Sequence, residues 1–126
     1  MQRYWFALLA AAVIGGVVAG VSRFCISASR EMETVITQAE QALEQQEEEQ
    51  AAQLLRRGEE IWKRRAPMLE AALDHSSVSL VEIPLGEAQV YLRCGRRADC
   101  AVCCRTLLKA LEDLRDGQQF SFYNLF

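Results

Sequence analysis

The 126-residue chain is 51% hydrophobic and carries a formal net charge of −3. Three of its 14 basic residues, Arg3, Arg23 and Arg30, lie in the first thirty positions, which hold no Asp or Glu, so the other eleven face all 17 acidic residues in the remainder. A body of that sign lacks the clustered positive charge that a phosphate backbone requires, which excludes nucleic-acid binding, and about a hundred residues leave room for one domain with one modest core.

Residues 4–22 contain no formal charge. At about 1.5 Å of rise per residue, a helix of that length matches the hydrocarbon thickness of a bilayer. Arg3 is a minimal n-region, the apolar run is longer than a secretory h-region, and the best small-residue cleavage pattern, near Ser27 and Ser29, comes only after Arg23 and Phe24. The expectation is an uncleaved single-pass anchor in contact with lipid through residues 4–22, with residues 1–30 forming the anchor and juxtamembrane segment. Tyr4 and Trp5 suit the headgroup level at one end, and Arg23 can snorkel at the other. Gly16 and Gly20 form a Gly-x-x-x-Gly pair through which two copies can associate. Charge does not orient the anchor, because Arg3 and the terminal amine balance Arg23 and Arg30. Cys25 follows an arginine and a phenylalanine, which is not a lipoprotein signal.

Residues 31–117 read as a small antiparallel helical bundle. Met32, Val35, Ile36, Ala39, Ala42 and Leu43 recur at three and four residues, with Glu33, Gln38, Glu40, Gln41 and Glu44 on the opposite face. Residues 45–50 are all Gln or Glu, either a turn or a solvated bridge. Ala51, Leu54, Leu55, Ile61, Trp62, Met68, Leu69, Ala72 and Leu73 mark a second helix, in which Pro67 predicts a kink or a break. Trp62 is expected in the core. Asp74, His75, Ser76 and Ser77 read as a helix end. They contain the residue types of a hydrolytic triad, but adjacency in sequence does not build the relay, and no Gly-x-Ser-x-Gly elbow accompanies them.

Residues 78–94 fit two patterns. Val78, Leu80, Ile83, Ala88, Val90 and Leu92 nearly alternate around Pro84 and Gly86, as in a hairpin, while Val81, Leu85, Ala88 and Leu92 lie on one helical stripe behind a Ser79–Glu82 capping box. A lone two-stranded hairpin is marginal in water, so helix is the expectation. Ala101, Cys104, Leu107, Leu108, Leu111 and Leu114 define the face of a last helix that Gly117 is expected to stop. Residues 118–126 then form an aromatic tail, with Phe120, Phe122, Tyr123, Leu125 and Phe126, expected to fold back over the bundle; a partner's groove and the membrane surface are the alternatives.

Cys94, Cys100, Cys103 and Cys104 are the only group with potential site chemistry. Four thiolates can close a tetrahedral zinc site, yet three of these share a helical turn and no second knuckle supplies the opposite side. A redox role for the Cys100–Cys103 pair would need a thioredoxin-like strand before the helix, and none is visible. The expectation is small buried hydrophobes, with a Cys94–Cys100 disulfide as an alternative and no catalytic, cofactor or metal residues assigned.

The single anchor, the acidic amphipathic helix, Trp62, Asp74 with His75, and the closing Asn124, Leu125 and Phe126 together resemble the small membrane-anchored proteins of Gram-positive, chiefly clostridial, bacteria grouped as domain of unknown function 4363. The resemblance implies an all-helical body on the outer side of the cytoplasmic membrane and no known activity. Two functions fit the sequence: a non-enzymatic interaction or scaffold module of the cell envelope with a protein partner, or a cysteine-dependent redox or metal site on the same helical body.

Overall fold

Two short turns, built identically, dictate the architecture. In the computed structural model, which describes the backbone of residues 2–72 and 75–125 and the side chains of residues 2–71 and 76–117, the chain forms α1 (Gln2–Glu44), α2 (Glu48–Ala72), α3 (His75–Arg93) and α4 (Arg97–Leu125). At the end of α1 the Glu47 N–H donates to Ala42 and the Gln46 N–H to Leu43; at the end of α3 the Arg96 N–H donates to Tyr91 and the Gly95 N–H to Leu92. Both are Schellman turns, which reverse the chain after a left-handed residue. That residue is Gln46 at φ 61° in the first and Gly95 at φ 75° in the second. The next bonds match as well, Ala51 to Glu47 and Cys100 to Arg96.

The chain is therefore two equivalent helical hairpins, α1–α2 and α3–α4. Their buried positions correspond: Met32 with Val81, Ile36 with Leu85, Ala39 with Ala88, Leu43 with Leu92, Ala51 with Cys100 and Leu55 with Cys104. Packed together they make an all-α, up-down four-helix bundle in which α1 neighbours α2 and α4, and α3 neighbours the same two.

Along α1 the buried residues Ser22, Cys25, Ser29, Met32, Ile36, Ala39 and Leu43 alternate in steps of three and four, the spacing of a seam that inserts between two partner helices. The seam starts at Ser22. The packed body thus takes in residues 22–30, which the sequence places in the juxtamembrane segment; small Ser, Cys and Ala side chains give that stretch no apolar stripe to read. Upstream, coverage tapers through half-buried Val21, Ala19 and Val18, and the far end of α1 stands clear: Trp5 is 73% exposed, and Leu8, Leu9, Val13, Ile14 and Val17 are exposed with it. This half is long and apolar enough to cross a membrane.

Residues 75–93 are helix, as the helical stripe requires, with Val78, Val81, Leu85, Ala88 and Leu92 buried. Neither proline divides its element. Pro67 lies inside α2 and Pro84 inside α3, where the lost backbone bond is offset by packing on both sides, Trp62 and Leu69 around the first, Val81 and Leu85 around the second. Residues 45–47 form a turn rather than a solvated bridge, and α2 begins at Glu48.

Gly117 does not stop α4. Its backbone stays helical and the helix runs on to Leu125, so residues 118–125 extend the bundle axis instead of reversing over it. The side-chain packing expected for residues 118–126 lies outside the described residues, as do Leu73 and Asp74. Trp62, Leu69, Leu85, Leu107 and Leu111 are buried as expected, whereas Leu114 is only partly covered and Met68 is exposed.

Candidate functional site

The cysteines separate into two environments. Cys94 is exposed at the mouth of the second turn, while Cys100, Cys103 and Cys104 lie buried on the core side of α4, and all four are free thiols, as is buried Cys25. Cys100 and Cys104, one turn apart, share a hydrogen bond that pulls the Cys100 pKa down and holds the Cys104 proton in place. Burial, reinforced by the neighbouring Glu87 carboxylate, pushes Cys103 up; its thiol donates to Glu87 Oε2 at 3.8 Å. Burial also raises Cys25. A thiol that keeps its proton is a poor nucleophile and a poor metal ligand. Among the described residues no cluster of His, Cys, Asp and Glu converges as a metal site. His75 opens α3, and its side chain lies outside the described residues.

The polar network sits on the seam between α2 and α3. The Trp62 Nε1–H donates to Glu82 Oε1 at 3.1 Å, and Gln89 Nε2 donates to Glu59 Oε2 at 2.8 Å. Glu59 also pairs with Lys63 at 2.9 Å. The Gln89 and Lys63 bonds lower the Glu59 pKa, so this carboxylate is held ionised and is unsuited to act as a general acid near neutral pH. Above this network a groove of about 760 Å³ opens toward the turns, floored by Ala52, Leu55 and Leu92 and edged by Glu48, Arg56 and Arg93. The equivalent seam between α1 and α4 holds a matching groove, edged by Glu44, Arg97 and Arg105, with Arg105 paired to Glu40 at 3.0 Å. The second Glu40 oxygen is buried without a hydrogen-bond donor.

A third groove differs in kind. On α3 the face opposite the core carries Leu80 and Ile83, 64% and 59% exposed, and Val90 two turns further along the same stripe. Leu80, Ile83 and Pro84 meet Ala110 and Leu114 of α4 across a groove of about 400 Å³, flanked by Lys109 and Asp113. These large apolar side chains stand exposed beside a core that is already filled. Sequence reading took Leu80, Ile83 and Val90 as half of a strand alternation, and so missed that α3 has two apolar faces. The Trp62–Glu82 bond had no local signal, since the partners are 20 residues apart.

The chain matches no protein-family model, no curated protein and no solved structure.

Proposed function

We propose that this protein is a membrane-anchored, non-enzymatic interaction module: a helical bundle held at the membrane by residues 4–22 that docks a protein partner along the α3–α4 groove. The observation that carries the reading is the second apolar face of α3, where Leu80 and Ile83 stand in solvent beside a core that is already filled. Supporting the anchor, one uninterrupted helix joins the charge-free segment to the bundle core, so the body is mounted on the anchor without a linker. A Cβ at Gly16 or Gly20 would meet no atom of the described residues within 4 Å, which supports close approach of a second copy there. Membership of the domain of unknown function 4363 proteins, with the bundle on the outer face of a Gram-positive cytoplasmic membrane, belongs to the same proposal and rests on the sequence resemblance. The burial of Cys25, Cys100, Cys103 and Cys104, with the protons of all but Cys100 held more tightly than in a free thiol, weighs against a cysteine-dependent site.

The test is photo-crosslinking in intact cells. With a benzophenone amino acid at position 83, one discrete crosslinked product should appear that a label at exposed position 63 does not give. Equal labelling from both positions would sink the docking reading. Release of the chain by alkaline carbonate would sink the anchor.

A further inference from the structure

We infer that the last turns of α4 lie in the membrane–water interface beside the anchor, so that the chain meets phospholipid through two elements and the bundle is seated on the bilayer surface. This rests on the reading of residues 4–22 as a membrane span.

Position along the bundle axis is the first support. α4 runs antiparallel to α1, and the pairs Arg105–Glu40 and Arg115–Glu33 set the register between them. Continuing that register at about 1.5 Å per residue brings Leu125 level with about residues 20–23 of α1. That is where the charge-free run ends and Arg23 begins. The hairpin correspondence points the same way. In it Ala72, the last residue of α2, matches Ser121, so α4 outruns α2 by four residues, about 6 Å, toward the anchor. Half-burial on α1 continues past Ser22 down to Val18 and Ala19, within the charge-free run.

Composition is the second support. No residue after Asp116 has a charged side chain, and residues 118–126 mix Phe120, Phe122, Tyr123 and Leu125 with Gln118, Gln119 and Asn124. Aromatic rings among uncharged polar groups are the composition of segments that lie at the headgroup level. The other elements at this end agree: Arg65 lies 4.9 Å over the Phe24 ring and pairs with Glu31 at 2.7 Å, and Met68 is exposed in the last turns of α2.

The full chain in phosphatidylcholine nanodiscs, carrying a trifluoromethyl-phenylalanine at position 122 or, separately, at exposed position 13, tests the inference by fluorine NMR. Lipid spin-labelled near the headgroup should abolish the position-122 signal, and a water-soluble gadolinium chelate should leave it. Lipid spin-labelled near the chain end should abolish the position-13 signal. If position 13 responds and position 122 is lost only to gadolinium, or to neither agent, the tail lies in water or inside the bundle and the inference is overturned while the anchor stands. If position 13 ignores the lipid label, the anchor reading itself has failed, and the inference with it.

Discussion

Glu48 and Arg97 hold equivalent places in the two hairpins, each the first residue of its second helix, and they bind each other, with Arg97 Nε 3.1 Å from Glu48 Oε1. The pair thus ties the two hairpins together at the end of the bundle opposite the long apolar half of α1. Its members are not equal in their own helices. A carboxylate at a helix N-terminus complements the macrodipole and a guanidinium opposes it. Glu48→Ala should therefore cost more than Arg97→Ala. Both side chains are about half exposed, so neither loss should exceed about 1 kcal/mol in urea unfolding of the full chain in mild detergent. A cost above about 2 kcal/mol for Arg97→Ala would mean that the turns depend on this contact.

The two turns predict opposite outcomes for glycine. Gln46 holds φ 61° with a side chain that disfavours it, whereas Gly95 holds φ 75° without that penalty. Gln46→Gly should stabilise the chain by about 1 kcal/mol, and Gly95→Ala should destabilise it by a similar amount. Shifts of the unfolding midpoint in the same direction for both variants would contradict the shared turn geometry.

What the sequence made legible depended on whether an element has one apolar face or two. Met32, Val35, Ile36, Ala39, Ala42 and Leu43 all read correctly because the rest of that stretch of α1 is polar. In α3 the buried stripe of Val78, Val81, Leu85, Ala88 and Leu92 is overlaid by exposed Leu80, Ile83 and Val90, and the two together imitate strand alternation. The candidate docking surface was hidden by that overlay. The burial of Ser22, Cys25 and Ser29 was illegible for another reason: small side chains become core only because neighbouring helices approach closely, which is a tertiary fact. The hairpin correspondence rests on hydrogen-bond register with few identities, Ala39 with Ala88 and Leu43 with Leu92 among them, too sparse to show as a repeat.

Trp62 couples core and seam, since its ring is buried and its indole N–H holds Glu82. Trp62→Ala should cost roughly 3–5 kcal/mol through the cavity it leaves. Trp62→Phe keeps much of the ring volume and removes the donor, so its cost should be smaller, on the order of 1–3 kcal/mol. Equal costs would mean that the hydrogen bond, not packing, is what Trp62 supplies.

The thiols predict both a labelling order and a pH dependence. Cys94 should react with maleimide in the folded chain, and Cys25, Cys100, Cys103 and Cys104 only as it unfolds. Burial raises Cys25 and Cys103, and the Cys100 bond raises Cys104, above the ordinary thiol value of 9.0. For these groups the folded state keeps protons that the unfolded state releases. Their contribution is fully present below that ordinary value and is lost as pH rises above it. Cys100, shifted down, runs the other way. Cys103→Ala should flatten the alkaline decline of stability; an unchanged slope would remove Cys103 as its source.

Gly117 separates the two possible ends of α4. Were it a left-handed cap, a Cβ would strain the turn, and Gly117→Ala would destabilise the chain by about 1 kcal/mol. In the structure its backbone is helical and a Cβ there would meet no atom within 4 Å, so alanine instead removes the conformational freedom that glycine carries in a helix interior. Gly117→Ala should stabilise the full chain by up to about 1 kcal/mol and slow amide exchange through residues 118–125. Faster exchange in those residues, with a lowered unfolding midpoint, would mean that α4 stops at Gly117 and that the aromatic segment reaches the anchor end of the bundle by another path.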